Sequence, residues 1–330
     1  MKIYHGPKSW NQTAEKNAKA ERSLGLESVS FSYIDFLKNP IKFFNVLFTT
    51  KVFNFYSAYT FFPVSTNHPF TFNIFFGLDL LFLKLFSKKI VFHFQGCEIR
   101  YRFFERSPNV CQYCEIKDIY CEQKVAKSRR ASIHGHMKRV DAVCVTTPDL
   151  LNYVEHDNKH WIPKVMEIPN DYTKVFESEK SILKIFHATT NRTKKGTDKI
   201  MEVIAKHPDK FELVFAEGKP NQEVLKMAKE CDLVVDQLYI GWYGNFTVEM
   251  MALGLPVLVN ISKDLEEHIK ENNIPIINVS EVTLENVLLG LYKDQKSFCK
   301  IGEDSKRFAG NFHSEKEISI RLNKAYESIG

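Results

Sequence analysis

Along most of the chain, short apolar runs alternate with longer stretches in which apolar positions recur at helical spacing. The runs at 2–4, 28–31, 52–55, 90–94, 142–145 and 165–168 predict strands, as do those at 183–187, 211–216, 233–236, 256–259 and 275–277. The stretches at 13–23, 198–205, 222–229 and 284–292 carry the helical period. Strand and helix in alternation predict a parallel sheet with helices on both faces. Two such series in succession predict an α/β chain of two Rossmann-like, doubly wound domains. Ligands then bind beyond the carboxyl ends of the strands, here in a cleft that the two domains face across.

The stretch 161–180, with Pro163, Pro169, Asn170 and Asp171, marks the boundary. We expect an N-terminal domain over 1–165 with a Cys-rich insertion at 97–121, and a C-terminal domain over 166–313. The segment 314–330 is amphipathic through Ile318, Ile320, Leu322, Ala325 and Tyr326.

The length of 330 residues suits two domains, and 44% hydrophobic residues are ample for two cores. A net charge of +5 is mild; it fits an anionic ligand or membrane surface and does not demand nucleic acid. The start, Met1-Lys-Ile-Tyr-His-Gly-Pro, reads as a strand entering a loop rather than a signal peptide. The apolar run 74–86 is interrupted by Asp79 and is too short to span a bilayer. A cytoplasmic protein is expected, soluble or in peripheral contact with the inner membrane. Nineteen of the 27 phenylalanines lie between Phe31 and Phe104. They read as sheet core, or, at 43–44 and 61–62, as a face that receives a lipid-linked acceptor.

The stretch 236–258 carries the most chemistry. A buried strand runs into a loop holding Gly241 and Gly244, and the loop opens a short helix carrying Glu249. The helix stops at Gly254, and Pro256 begins another apolar strand. Backbone N–H groups and the positive dipole end at such a helix start suit a phosphate. One turn in, Glu249 can accept hydrogen bonds from paired ribose hydroxyls. Upstream, Arg192, Lys194 and Lys195 follow an apolar strand and open a helix. Arg192 can grip phosphate oxygens in two places, and Lys195 can add a point charge. Such cations meet the main electrostatic demand when a sugar leaves a diphosphate. His93 stands at the end of another strand, before the turn Gly96-Cys97-Glu98.

This layout, a glycine loop and then Glu-x-x-Ala-x-Gly-x-Pro-Val, resembles the nucleotide-sugar site of the retaining glycosyltransferases of family 4, of the bacterial capsule and lipopolysaccharide type. The resemblance implies the GT-B fold. It implies transfer of a sugar from a nucleotide diphosphate sugar to a glycan or lipid-linked acceptor, in surface polysaccharide synthesis. It gives Glu249 the ribose, Arg192 and Lys195 the diphosphate, and His93 a place beside the transferred sugar. Lys194, Gly218, Asp236, Gly241, Tyr243, Gly244, Asn245 and Phe246 fall on the donor side. Gly6, Asn11 and Gln12 fall where family members bring a glycine loop to the acceptor. No metal is required for the chemistry, since Arg, Lys and a helix dipole replace it. The segment 314–330 is expected to cross back onto the first domain. The turn after His93 departs from the family at Cys97 and Glu98. Family members also carry two glutamates eight residues apart; the second matches Glu249, and the first is Gly241 here. That loss leaves a second reading, a non-catalytic GT-B partner subunit or glycan-binding protein.

Cys111, Cys114 and Cys121 put three thiols within reach of one ion, and Cys97, His134 or His136 can complete a tetrahedron. The cluster reads as a structural zinc, as free thiols in a loop, or as a redox site. From 117 to 139, seven Lys or Arg stand against two acids. Lys124, Lys127, Arg130 and Lys138 would form a face for anionic headgroups or a pyrophosphate-linked acceptor, or a plain solvated face.

Overall fold

The computed structural model describes residues 1–9, 12–62, 77–96, 98–99, 133–167, 174–176 and 179–330. Asn11, Cys97, Cys111, Cys114, Cys121 and the basic residues Lys124, Lys127 and Arg130 lie outside them. The chain divides into two compact units. One holds the described residues up to Val165 together with Ser314–Gly330; the other is Met166–His313.

The first unit is built on a six-stranded parallel sheet of β1 (Lys2–Gly6), β2 (Glu27–Ser30), β3 (Val52–Tyr56), β4 (Lys89–Phe94), β5 (Ala142–Val145) and β6 (Lys159–Trp161). Their order is β2-β1-β3-β4-β5-β6. β3 buries all five of its residues, as a strand covered on both faces must. One face turns Tyr4, Phe53, Phe55, Phe92 and Phe94 toward Phe36, Val46, Leu80 and Leu83 of the helices Tyr33–Lys38, Pro40–Thr49 and Leu78–Leu85. Much of the phenylalanine excess is therefore core. The other face turns Ile3, Val52, Val91 and Cys144 toward the helices Thr13–Ser23 and Glu315–Glu327, which contribute Ala20, Ile318, Leu322 and Tyr326. By the two-residue strand period, His5, Asn54, Tyr56 and His93 share this second face.

The second unit holds five parallel strands: β7 (Leu183–Thr189), β8 (Phe211–Glu217), β9 (Leu233–Val235), β10 (Val257–Val259) and β11 (Ile277–Asn278). They lie in the order β11-β10-β9-β7-β8. Ile200, Val203, Leu284 and Leu288 of the helices Thr197–Ala205 and Leu284–Lys293 close one face. Phe246 of the helix Asn245–Ala252 meets Phe186 on the other. In both units the strand order reverses beside the first strand, so β1 lies between β2 and β3, and β7 between β8 and β9. Crevices that bind ligands form at such switch points, outside the strand carboxyl ends.

Two expectations fail. Residues 165–167 form no strand; the Met166 N–H donates instead to the His313 carbonyl, at 3.0 Å. The apolar pattern also misses β6, because Lys159-His-Trp161 is short and polar, which an edge strand tolerates. Among the described residues no helix is long and apolar enough to cross a membrane.

Candidate functional site

β7 ends where Asn191 caps the following turn. Its side-chain oxygen accepts from the Lys194 N–H at 3.0 Å, and Gly196, at φ 73°, closes the turn. This tight stop holds Arg192 and Lys195 at the carboxyl end of the strand. The Lys195 ammonium donates to the Ala188 carbonyl at 2.9 Å and to Asp236 at 2.7 Å. Asp236 follows β9, and its side chain is only 1% exposed. The Thr247 hydroxyl donates to its second oxygen at 2.5 Å. A buried carboxylate is thus held between a cation and a hydroxyl, straddling the switch point between β7 and β9. Lys195 also lies 4.2 Å from the centre of the Phe246 ring. Two of its three N–H donors are committed, and one remains.

Arg192 makes a bidentate pair with Glu217, at the end of β8, at 2.8 and 2.7 Å. The hydrogen bonds raise the arginine pKa and hold the Glu217 carboxyl below its usual range. The guanidinium lies over Phe215, 5.1 Å from the ring centre. Nε and Nη2 are engaged, which leaves the Nη1 edge for a second anion. Lys194 is exposed at the same turn. Behind the turn, His187 donates from Nδ1 to the Val235 carbonyl and accepts at Nε2 from the Thr197 hydroxyl, each at 2.8 Å. Burial lowers its pKa to about 4, so the ring is neutral and locks β7 to β9.

The helix Asn245–Ala252 begins at Gly244 with no side-chain cap, so no side chain occupies its first-turn N–H groups. A Cβ at Gly244 would meet nothing within 4 Å, so the approach is open. Asn245 and Phe246 are partly exposed there. One turn on, Glu249 accepts from the Asn221 amide at 3.1 Å. Asn221 opens the helix that follows Gly218, which is exposed at φ 62°. Gly241 is buried, and its carbonyl accepts from the Ser262 N–H at 3.0 Å. Tyr243 is 5% exposed and its hydroxyl meets His313 at 3.2 Å. Its side chain therefore serves packing.

The carboxyl ends of β7, β8 and β9 thus gather Arg192, Lys194, Lys195, Gly218, Asp236, Gly244 and Glu249 at one sheet edge of the second unit. His93, Gly6 and Gln12 belong to the first unit. His93 is 1% exposed and stacks on Tyr56, ring centres 4.9 Å apart. Burial, with lesser repulsion from His5 and Lys164, lowers its pKa to about 3. Neither ring nitrogen has a hydrogen-bond partner among the described residues. Its carbonyl accepts from the Ser57 N–H at 2.8 Å. Gly6 ends β1 at φ 149°, where a Cβ would lie 2.5 Å from the Phe31 carbonyl oxygen, so only glycine fits. Gln12 precedes the first helix at φ 56°.

The sequence reading gave Thr247 no role and missed the buried set behind His93. There the Tyr56 hydroxyl donates to His5 Nδ1 at 2.7 Å and receives the Asn17 amide at 2.9 Å. His5 Nε2 donates to Glu21 at 2.9 Å. Because a carboxylate only accepts, the His5 proton sits on Nε2. One signal was available: Asn17 and Glu21 fall on the buried stripe of the helix Thr13–Ser23, beside Ala14 and Ala18. Among the described residues no group of three or more His, Cys, Asp or Glu is arranged to hold a metal ion. Lys138 pairs with Glu155 at 3.5 Å.

No protein-family model matches the sequence, and no curated protein does. Solved structures do. Sucrose-phosphate synthase from Thermosynechococcus elongatus is 12% identical, with a TM-score of 0.63 over 100% of this chain and 99% of that one. HepE from Anabaena, solved in complex with UDP-glucose, is 12% identical, with a TM-score of 0.58 over 99% and 100%. WaaG, a glycosyltransferase involved in lipopolysaccharide biosynthesis, is 13% identical, with a TM-score of 0.55 over 100% of both chains. The likeness spans both units and shows the GT-B fold.

Proposed function

We propose that this chain is a retaining glycosyltransferase that draws on a nucleotide diphosphate sugar bound at the carboxyl ends of β7, β8 and β9. One observation carries the reading. At the switch point, the Lys195–Asp236–Thr247 contact joins a cation-bearing turn to a helix that starts, uncapped, at an open glycine. That combination suits a diphosphate. HepE, of the same fold, was solved in complex with UDP-glucose, which agrees with such a donor.

In this reading Glu249 holds the ribose hydroxyls, releasing Asn221. The first-turn amides after Gly244, the third Lys195 N–H and the Nη1 edge of Arg192 take the phosphates. These groups supply the counter-charge that a metal ion would otherwise supply. His93, neutral and with neither ring nitrogen engaged among the described residues, offers a partner to a sugar hydroxyl. The acceptor oxygen bonds to the anomeric carbon on the face that the diphosphate leaves, and its proton passes to the departing phosphate oxygen. The turn that follows Gly6 receives a glycan or lipid-linked acceptor, and a surface polysaccharide pathway is the setting we favour.

Gly241 and the two carboxylates already holding Arg192 and Lys195 favour one other reading, a GT-B subunit that binds donor weakly and serves a partner transferase. Calorimetric titration with UDP, GDP and ADP separates the two. Micromolar binding of one nucleotide, lost in Arg192→Ala and in Glu249→Ala, is the expected result. Silence from all three would remove the donor site and leave the partner subunit.

A further inference from the structure

The helices that cover the Phe-rich face of the first sheet are apolar on both sides. Outward, Ile34, Leu37, Ile41, Phe44 and Phe48 recur every three or four residues and are 62, 81, 81, 54 and 60% exposed. Leu81, Phe82, Leu85 and Phe86 form two adjacent pairs one turn apart, on the helix Leu78–Leu85 and just beyond it, at 59, 41, 74 and 51%. Lys88 ties the two stretches together, its ammonium donating to the carbonyls of Phe48 at 2.8 Å and Thr50 at 2.7 Å. Most of the large apolar side chains exposed among the described residues lie here. Single exposed apolar residues need no explanation, but a contiguous set marks an interaction surface.

The surrounding charge is one-sided. Lys38, Lys42, Lys51 and Lys88 belong to the same segments. Of the acids, Asp35 is committed to a capping box with Ser32, and Asp79 is buried. Beside Ile41 opens a cavity of about 310 Å³, lined by Lys2, Lys42, Asn39 and Asn45 together with Val29, Phe31 and Val46. Amine and amide donors above apolar walls suit a phosphodiester with its acyl chains.

We infer that this face docks on the surface of an anionic phospholipid bilayer. The apolar ridge enters the acyl boundary, the lysines meet the headgroups, and the cavity beside Ile41 takes one headgroup phosphate. With no spanning helix among the described residues, the chain lies on the bilayer by this face. A second copy of the chain fits less well, because self-docking would set lysine against lysine.

The test is cosedimentation with sucrose-loaded vesicles of phosphatidylcholine, with and without phosphatidylglycerol. Partition onto the anionic vesicles, reduced by salt, is expected. Leu37→Ser/Ile41→Ser/Phe44→Ser should lower it on the order of a hundredfold, and Lys38→Glu/Lys42→Glu at least about tenfold. Val282→Ser, at an exposed apolar residue of the second unit, should leave it unchanged. Thermal melts check that the variants fold, and the charge-reversal pair keeps the test open if the triple variant does not. No partition, or partition indifferent to both sets of substitutions, overturns the inference. So does a dimer in vesicle-free solution that the triple variant dissolves, which would give the face to a second copy.

Discussion

Lys195 and Arg192 look alike along the sequence, two cations in one turn, yet the fold treats them differently. Arg192 and Glu217 are 43 and 44% exposed, and such a pair adds little to stability. Lys195 faces a carboxylate that is 1% exposed, and breaking a buried pair strands the remaining charge. Lys195→Ala should therefore lower the unfolding free energy on the order of 3 kcal/mol, while Arg192→Ala leaves the urea midpoint near wild type. Superimposable urea curves for Lys195→Ala and wild type would refute the assignment. The cations themselves were legible, because their chemistry is local to a strand end. Their partners were not, since Asp236 stands 41 residues from Lys195 and only the sheet order brings them together. Histidine burial has a consequence of the same scale. His93 and His187 titrate at about 3 and about 4 in the fold and near 6.5 when unfolded. Below pH 6.5 the unfolded chain takes up protons that the native rings refuse. This contribution is full above pH 6.5 and is lost as pH falls toward those native values. At pH 5 each ring costs about 2 kcal/mol. Melts at pH 7.5 and pH 5 should differ less in His93→Gln than in wild type; an equal difference would mean that the native ring accepts a proton.

Among elements, those with a single clear period were readable. The strand at 142–145 and the helix at 13–23 coincide with Ala142–Val145 and Thr13–Ser23. The helices over 33–49 and 78–85 were not, because large apolar side chains such as Leu37, Ile41, Phe44, Leu81 and Leu85 are exposed as well as buried, so no single apolar face stands out. The helix Ser297–Phe312 depends on one glycine. A Cβ at Gly302 would lie 2.3 Å from the Gly254 carbonyl oxygen and 2.9 Å from the Phe176 ring. Gly302→Ala must push this helix off the turn that ends the Glu249 helix, at a cost of about 1–3 kcal/mol. Gly290, in the helix Leu284–Lys293, has open space around it, and Gly290→Ala should stabilise by about 0.5–1 kcal/mol. Thermal melts of the two variants should move in opposite directions; a shared direction would contradict the packing described.

At the scale of the molecule, the alternation of strand and helix was enough to foresee two parallel sheets, since it needs no long-range information. Which helices cover which face was beyond it. The helix Glu315–Glu327 closes the second face of the first sheet, where the Asn54 amide donates to the Tyr326 hydroxyl at 3.0 Å and Lys19 pairs with Glu315 at 2.7 Å. A chain cut after His313 should expose Ile3, Val52 and Val91 and lose its first unit. Limited proteolysis should then degrade that part and spare the second unit; equal resistance in the cut and full chains would show the helix to be dispensable. The same helix sets an order of events during synthesis. Among the described residues the second unit is one continuous stretch, Met166–His313, and can close as soon as it leaves the ribosome. The first unit begins earlier but finishes later, because the piece that seals it emerges after the entire second unit. Its helix-covered face stays wet, and open to chaperones, until translation has passed the final turn of that helix.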